Sequence, residues 1–518
     1  MARSVHEFVQ SAVERFGDRT ALVDDDGRRT YRELWDRSRR LAGALAGLGV
    51  RPGDRVVALM NNRNEWVEID NAVSMLGAVR GRLNNRDSAR EFAFVLNDLR
   101  PAVVLTGPEF TSVIRDLVTE QAVPPMQIVG LGPDGDYERL LAAAEPMAPR
   151  PVSTDDPYLV FHTSGTTGHY KGAVYLHRNW LAIYRNILAE IMGDVDPDCA
   201  LLHVGPLSHQ SGILTSPALF RGARSVMVST FDPARVFDLI EQERITHCIL
   251  APAIINLLAN HPAAEERDLS SLRRIYYSGA PIAPSVLRRA IDVFGPVFLQ
   301  GYGSTEGGTI YNTILYPDEH VAALESHPER LSSCGRPSVF FDVRLADDDG
   351  KEVPTGDMGE IWVRGDAVSQ YYWEQPEATA SMYVDGWFRM GDLAVRDEDG
   401  YITIVDRKND MIISGGLNVY PREVEDVVAG HPAVAEVAVI GVPDEKWGEA
   451  VKACVSLREG ASLTLAELQE HCRQAGLASY KKPLSLDVVD EIPKTAVGKL
   501  FRRALREPYW SGQERRVG

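Results

Sequence analysis

Strand and helix patterns alternate along much of the first 330 residues, and this alternation limits the possible fold more than any other feature. Apolar runs predict strands at 54–60 and 101–106, with an amphipathic helix over 64–77 between them. The alternation resumes at 173 and continues to about 330. It is typical of an α/β fold in which helices cover the faces of sheets. The length of 518 residues allows about two to four such domains.

The pattern changes after residue 334. Short strands with Gly/Asp turns predict a small β-rich subdomain, with strands at 343–345, 359–363, 386–389 and 401–405. A compact α/β unit follows from about 409, with helices at 421–430 and 464–475 and strands at 434–441, 450–456 and 484–489. The sequence therefore predicts a large amino-terminal part and a small carboxyl-terminal part.

Bulk composition excludes several classes of protein. The net charge of −18 argues against a nucleic-acid partner, which usually needs a basic face. The five cysteines show no CxxC spacing and resemble the reduced thiols of a cytoplasmic protein. The first residues carry charges where a signal peptide needs an apolar run, and no stretch of about 18 apolar residues occurs, so we expect no integral membrane contact.

Residues 163–172, Thr-Ser-Gly-Thr-Thr-Gly-His-Tyr-Lys-Gly, carry the donors that a polyphosphate needs. Two glycines permit turns that direct amide groups to one side, and four hydroxyls and one lysine add further donors. The spacing differs from a Walker A loop, and both flanks resemble strands. Alone, the segment is also compatible with an ordinary polar surface loop.

Four further clusters contain chemically useful residues. Residues 301–308, Gly-Tyr-Gly-Ser-Thr-Glu-Gly-Gly, place a carboxylate where a strand ends, and one carboxylate beside phosphates suits Mg²⁺. Asp392 follows Gly391 and could accept the two ribose hydroxyls. The other two clusters are 406–421, with a Gly-Gly turn, and 493–499, which ends in a lysine. Each of these signals is weak alone.

The five clusters, in this order, resemble the acyl-adenylate-forming superfamily of acyl-CoA synthetases, adenylation domains and luciferases. The resemblance extends from about residue 10 to 503 and is closest to acid–CoA ligases. It implies a large domain, 1–408, with two stacked α/β sheet subdomains and a β-barrel-like part. A mobile α+β lid domain, 409–518, would follow, with the hinge near Asn409.

The resemblance also implies roles in adenylation. Lys499, Thr305, His209 and Lys171 would be catalytic, and Glu306 would bind the metal. The residues that would hold ATP are Thr163, Ser164, Gly165, Thr166, Thr167, Gly168, Gly279, Ala280, Pro281, Gly301, Tyr302, Gly303, Asp392 and Arg407. Lys499 would bridge the attacking carboxylate and the α-phosphate.

The acid and the thiol acceptor have their own candidate residues. Those that would contact the acid are Tyr277, His209, Ser211, Gly212 and Thr309. Those that would contact CoA are Gly415, Gly416, Trp447 and Tyr480, beside six cations and three anions in residues 480–503. A charge run is often only a solvated surface, so the aromatic residues carry more of this argument.

The chain departs from the family pattern at four positions. Tyr170 replaces the usual proline, so we expect a looser or differently shaped phosphate loop. Met390 replaces a threonine near the ribose, Asp406 replaces a glycine, and Asn409 replaces the usual aspartate or lysine at the hinge. No charged catalytic group is lost.

The sequence therefore predicts a cytoplasmic AMP-forming acid–thiol ligase that uses ATP, Mg²⁺ and CoA. The acid would be aryl or short- to medium-chain aliphatic. Alternative acceptors are a carrier protein or a non-thiol group, including a diazotase-like reaction in which activated nitrite is attacked by an aromatic amine. A non-catalytic binding protein is the rival from another class. A homodimer is compatible with the sequence.

Overall fold

The structure is a computed structural model that describes residues 4–163, 170–280, 282–494 and 500–510. The chain divides into two compact units. One contains residues 1–343 and 363–389, and the other contains 344–362 and 390–518. The predicted domain boundary at 408/409 differs from this division and stays a prediction.

The larger unit contains two α/β sheets among its described residues. The strands of the first sheet, in spatial order, are Arg336–Pro337, Thr313–Leu315, Phe298–Tyr302, Arg274–Tyr277, His247–Leu250, Ala200–His203, Arg224–Met227, Thr20–Asp24 and Gly27–Thr30. The central strands are parallel, from Phe298–Tyr302 through to Thr20–Asp24. Their carboxyl ends therefore meet at one edge, where open α/β sheets bind ligands.

The second sheet carries the strands around the predicted phosphate loop. Its order is Tyr371–Tyr372, Lys171–Leu176, Pro157–Thr163, Val79–Arg82, Arg55–Leu59, Val103–Thr106 and Gln127–Gly130. The last five strands are parallel, and the first two add antiparallel pairs.

Helices cover both sheets of the larger unit. They are Val5–Phe16, Tyr31–Gly47, Glu65–Leu76, Ala89–Leu99, Thr111–Thr119, Tyr137–Ala143, His177–Glu190, Gln210–Ile213, Thr215–Phe220, Pro233–Gln242, Pro252–Ala259, Pro284–Phe294, Pro317–Ser326 and Pro376–Met382. The start of helix Tyr31–Gly47 is explained by a capping box. Thr30 accepts from the Glu33 amide while the Glu33 carboxylate accepts from the Thr30 amide at 2.7 Å, as the sequence predicted.

A further five-stranded sheet corresponds to the predicted β-rich subdomain. Its strands are Asp342–Ala346, Met358–Arg364, Tyr383–Val384, Trp387–Arg396 and Ile402–Arg407, and three of them cross the boundary between the units.

The smaller unit also contains the carboxyl-terminal sheet, with strands Leu417–Val419, Ile412–Ser414, Gly448–Leu457, Val434–Asp444 and Ser485–Val488. Its helices are Pro421–Ala429, Leu465–Gln474 and Arg502–Trp510. The two α/β sheets and the small α+β unit confirm the predicted fold class.

None of the helices in the described ranges combines the length and apolar character needed to cross a membrane. All five cysteines are buried free thiols, as the composition indicated.

Candidate active site

The strands around the predicted phosphate loop form an antiparallel pair. Pro157–Thr163 and Lys171–Leu176 pair along most of their length, and Thr163 lies opposite Lys171. The prediction of a strand on each side of the loop is therefore confirmed. The predicted loop residues Ser164, Gly165, Thr166, Thr167 and Gly168 lie outside the described residues.

Glu306 lies beside this hairpin. Its Oε1 accepts a hydrogen bond from the Thr163 hydroxyl at 2.8 Å, although the two residues are 143 positions apart. The backbone of Glu306 is fixed as well, because the amide and the hydroxyl of Ser369 both donate to its carbonyl at 2.9 Å. The structure thus brings together one predicted phosphate-binding residue and the predicted metal-binding carboxylate.

Two tyrosines that the sequence analysis missed complete this group. The Tyr372 hydroxyl is 3.4 Å from Glu306 Oε1, and Lys171 Nζ lies 5.2 Å from the centroid of the Tyr372 ring. The Tyr175 hydroxyl donates to the Thr305 carbonyl. Burial raises the pKa values of Tyr175 and Tyr372 well above the usual range for tyrosine, and the negative charge of Glu306 raises both further. Both phenols therefore stay protonated donors at neutral pH.

The segment before His209 is held by an asparagine that the sequence analysis also missed. Asn62 accepts from the Leu207 amide at 2.7 Å and donates to the Gly205 carbonyl at 2.8 Å. The His209 ring lies 5.6 Å from the ring of Phe161, the strand residue two positions before Thr163.

The predicted acid-binding residues after His209 are closely packed. The Ser211 hydroxyl lies 2.8 Å from His203 Nδ1. Burial lowers the pKa of His203 to about 3, so the ring is neutral at physiological pH. Gly212 adjoins the Leu207 carbonyl, because a Cβ at Gly212 would lie 2.1 Å from that oxygen.

The segment after strand Phe298–Tyr302 folds back tightly. A Cβ at Gly303 would lie 2.1 Å from the Thr309 carbonyl oxygen, so glycine is required there. Thr309 itself has φ +81°, which is strained for a β-branched residue, and it is buried. Within the described residues its hydroxyl makes no hydrogen bond. Strain and an unpaired hydroxyl are typical of a ligand-binding position.

Three of the residues predicted to hold ATP, Gly279, Ala280 and Pro281, follow strand Arg274–Tyr277 in the sequence. Gly279 and Ala280 are exposed, and the Gln210 side chain approaches Gly279. Pro281 lies outside the described residues. The Tyr277 hydroxyl is instead engaged by the His320 ring at 2.8 Å and Gln300 at 3.1 Å within the core. Its predicted contact with the acid stays a prediction.

In the smaller unit, Asp392 and Arg407 form an ion pair. They are register partners on strands Trp387–Arg396 and Ile402–Arg407, and Arg407 Nε lies 2.6 Å from Asp392 Oδ1. Asp392 is almost fully buried, whereas the Arg407 side chain is 40% exposed. The predicted ribose-binding pair is therefore adjacent.

The predicted CoA-binding residues are arranged around a tight turn. Gly415 has φ +60°, its amide donates to the Trp447 carbonyl at 2.8 Å, and a Cβ there would lie 2.7 Å from the Trp447 ring. Gly416 follows in the same turn between strands Ile412–Ser414 and Leu417–Val419. The side chains of Trp447 and Tyr480 are both exposed, as binding to an adenine ring requires.

Ion pairs neutralise part of the positive charge that the sequence predicts for residues 480–503. Lys481 pairs with Glu423 at 2.6 Å, Lys494 pairs with Glu436 at 2.6 Å, and Arg502 pairs with Glu425. The three glutamates lie far from residues 480–503 in the sequence, so the balance of charges within that segment does not include them. Lys499 lies outside the described residues.

Comparison with known proteins identifies the family. Residues 9–373 match AMP-binding enzymes, and residues 423–499 match the AMP-binding enzyme C-terminal domain. The chain belongs to the AMP-binding enzyme family. The predicted resemblance is confirmed.

Relatives of this AMP-binding enzyme match it over almost the full chain. A medium/long-chain-fatty-acid–CoA ligase, FadD8 of Mycobacterium tuberculosis, is 38% identical, covering 98% of this chain and 90% of its own. A feruloyl-CoA synthase of an Amycolatopsis species is 39% identical over 93% and 94% of the two chains. The solved structure of the amide bond synthetase McbA from Marinactinospora thermotolerans has a TM-score of 0.85 at 32% identity, covering 98% of this chain and all of the other.

The donor set at Glu306 fits a magnesium ion. Mg²⁺ keeps several waters and usually takes one or two carboxylates together with substrate phosphate oxygens. Within the described residues, no cluster of three or more His, Cys, Asp or Glu side chains forms an all-protein metal site. One carboxylate beside the Thr163 hydroxyl matches the donor set that Mg²⁺ takes when it binds together with phosphate oxygens.

Replacing Glu306 by glutamine tests this assignment. Glu306→Gln keeps an acceptor for Thr163 but removes the charge, so we expect pyrophosphate release to slow by about 10² and to need more Mg²⁺. Titration of the rate with Mg²⁺ measures both effects. Glu374→Gln is the matched control, since Glu374 is an exposed carboxylate paired with Arg100. An unchanged Mg²⁺ dependence in Glu306→Gln would contradict the assignment.

Asp406, which stands where the family has glycine, joins two segments of the smaller unit. Its carboxylate accepts from the Arg407 amide at 2.7 Å and from the Arg422 amide at 2.8 Å. Burial raises the pKa of Asp406 to about 6, with Glu425 adding to the rise and Arg502 opposing it.

This pKa predicts a pH dependence of stability. Between about pH 4 and 6 the folded state binds more protons at Asp406 than the unfolded state, so the contribution of Asp406 to stability falls as the pH rises. Asp406→Asn does not titrate. We expect the stability difference, wild type minus variant, to be most favourable near pH 4 and to decline towards about pH 7. Urea unfolding at several pH values measures it, and a constant difference would refute the prediction.

Proposed function

We propose that this chain is an ATP-dependent carboxylic acid–CoA ligase that works through an acyl-adenylate. The observation that carries the proposal is the grouping of Thr163, Lys171 and Glu306, which provides a hydroxyl, an amine and a metal-binding carboxylate at one place. These are the groups that hold a polyphosphate with its metal. The sequence relatives named as CoA ligases support thioester formation with CoA as the second step.

The first half-reaction joins two anions. A carboxylate oxygen attacks the α-phosphorus of ATP, the bond to the β-phosphate oxygen breaks, and pyrophosphate leaves. Cationic groups lower the repulsion: Lys171 with the loop 164–168 acts on the β- and γ-phosphates, and Lys499 acts at the forming bond. Glu306 would hold Mg²⁺, which would supply further neutralisation of the phosphate charges.

The remaining residues position the nucleotide. Asp392, oriented by Arg407, accepts the ribose hydroxyls. Thr305, which is fixed through its carbonyl by Tyr175, contacts the α-phosphate. The residues that would line the adenine pocket are Ser278, Gly279, Ala280, Pro281, Gly301 and Tyr302.

The second half-reaction transfers the acyl group. The CoA thiol loses its proton and attacks the acyl carbon, and AMP leaves with the oxygen that came from the acid. The Gly415–Gly416 turn lets the pantetheine arm approach the backbone, and Trp447 and Tyr480 flank the adenine of CoA. Lys499 is needed only for the first half-reaction, and exclusion of water would protect the adenylate from hydrolysis.

The acid is an aryl or short- to medium-chain aliphatic acid that lies near His209, Ser211, Gly212, Tyr277 and Thr309. The unpaired hydroxyl of Thr309 favours an acid with a hydrogen-bonding group. The five buried free thiols suit a reducing compartment, so the enzyme works in the cytoplasm. A homodimer stays a prediction.

Release of pyrophosphate tests this function. ATP and Mg²⁺ are supplied with a panel of aryl and aliphatic acids, each with and without CoA. We expect release that requires an acid and turns over repeatedly only when CoA is present. An equal rate of pyrophosphate release with and without CoA, measured with the best acid, would favour a carrier protein or an amine as the acceptor. Pyrophosphate release with nitrite and no carboxylic acid would favour the diazotase-like reaction.

A further inference from the structure

One helix contacts both strands of the hairpin that carries Thr163 and Lys171. Helix Ala89–Leu99 presents Glu91, Phe94 and Asp98 at spacings of three and four residues. Residues at these spacings share one face of a helix. This face of the helix contacts one hairpin residue on each side of the phosphate loop, His162 before it and Tyr170 after it.

The first contact fixes Tyr170, the residue directly before strand Lys171–Leu176. The Tyr170 hydroxyl donates to Glu91 Oε1 at 2.5 Å, and its ring lies 5.5 Å from the Phe94 ring. Glu91 Oε2 accepts from the Ser88 amide at 2.6 Å, so the carboxylate is held on both sides. Burial raises the pKa of Glu91, but the hydrogen bonds from Ser88 and Tyr170 outweigh it and lower the pKa below its ordinary value.

The second contact fixes the strand that ends at Thr163. His162 Nε2 lies 2.7 Å from Asp98 Oδ2, and the His162 side chain is only 3% exposed. Successive residues of a strand point to opposite faces. Thr163 therefore faces away from the helix, and its hydroxyl reaches Glu306. The pair Thr163–Lys171 lies between the two anchors in the strand register.

We propose that Tyr170 and His162 are positioning residues for ATP, which hold Thr163 and Lys171 in place by anchoring the hairpin to helix Ala89–Leu99. The inference rests on the proposed function. Proline, the usual family residue before the lysine, restricts its own φ angle. Tyrosine has no such restriction, and its hydrogen bond to Glu91 supplies an anchor in its place. Tyr170 is thus fixed by a side-chain contact and not by a restricted φ angle.

Removal of the Tyr170 hydroxyl tests the proposal. Tyr170→Phe keeps the ring against Phe94 but breaks the bond to a charged acceptor, so we expect KM for ATP to rise about tenfold. The KM for the acid should stay within about twofold, because Thr163 and Lys171 act on the phosphates and not on the acid.

A double-mutant cycle separates the anchor from general damage. Glu91→Ala removes the acceptor of the Tyr170 hydroxyl and should raise KM for ATP by at least a similar factor. Tyr170→Phe added to Glu91→Ala should have little further effect, since the shared hydrogen bond is already lost. Asp98→Ala removes the contact with His162 on strand Pro157–Thr163. Its effect on the KM for ATP should therefore add to the effect of Tyr170→Phe.

Tyr316→Phe is the matched control, because the Tyr316 hydroxyl donates to Glu190 at 3.0 Å in the same unit. It follows strand Thr313–Leu315, which runs away from the carboxyl end of Phe298–Tyr302. We expect an unchanged KM for ATP. An unchanged KM for ATP in Tyr170→Phe, or an equal rise in the KM for the acid, would overturn the proposal. If the wild-type protein itself releases no pyrophosphate with any acid, the proposed function fails instead.

Discussion

Lys499→Ala should slow acyl-adenylate formation by about 10²–10³, the usual effect of removing one charge-stabilising group from an active site. The same variant should convert a supplied acyl-adenylate and CoA to the thioester at a rate within a few-fold of wild type. The lysine acts only while the carboxylate attacks the α-phosphate, so the two half-reactions respond differently. Quenched-flow measurement of adenylate, and of thioester from synthetic adenylate, gives the two rates separately.

Lys494→Ala is the matched control for this prediction. Lys494 is five positions before Lys499, but its ammonium group pairs with Glu436 in a partly exposed ion pair. We expect both half-reactions to be nearly unchanged, because exposed pairs contribute little. Adenylate formation at the wild-type rate in Lys499→Ala would contradict the role assigned to this lysine.

Asp70→Asn should destabilise the larger unit by about 3–5 kcal/mol, because it leaves two buried guanidinium groups without a counter-charge. Asp70 lies 2.7 Å from Arg80 Nε and 2.8 Å from Arg82 Nη2, and the two arginine side chains are 0% and 3% exposed. Burial and the Arg82 charge already lower the pKa of Arg80. Urea unfolding followed by tryptophan fluorescence should show the loss, since Trp66 lies over Arg80.

The control for Asp70→Asn is the same change at Asp36. Asp36 pairs with Arg40 one helical turn away, and both side chains are partly exposed at 49% and 35%. Such a pair contributes about 0.3–0.5 kcal/mol. If Asp70→Asn and Asp36→Asn lowered the free energy of unfolding by similar amounts, the buried cluster of Asp70, Arg80 and Arg82 would not have the predicted effect on stability.

The features that the sequence predicted are mostly local. The capping box at Thr30 and Glu33 lies within four residues, and the strands around the phosphate loop follow from their own apolar runs. The short motif 301–308 contains both its glycines and Glu306, so the position of this carboxylate after a strand can be predicted from eight residues. Local patterns of this type depend on backbone geometry, which is why one sequence is enough to detect them.

The features that the sequence could not predict are contacts between distant residues. Tyr372 is 66 positions from Glu306, and Asn62 is 145 positions from Leu207. The anions that neutralise Lys481 and Lys494 are each 58 positions away. Such partners depend on which strands become neighbours. Helix Arg502–Trp510 was missed because its charged residues gave no strong apolar pattern, although Arg502 and Arg506 both reach Asp410.

Isotope transfer tests the central claim most directly. The enzyme is given its best acid labelled with ¹⁸O in the carboxylate, together with ATP, Mg²⁺ and CoA, and AMP and pyrophosphate are analysed by mass spectrometry. Attack of the carboxylate on the α-phosphorus, followed by cleavage of the acyl C–O bond, predicts one ¹⁸O atom in each AMP and none in pyrophosphate. AMP without label, or label in pyrophosphate, would contradict an acyl-adenylate route.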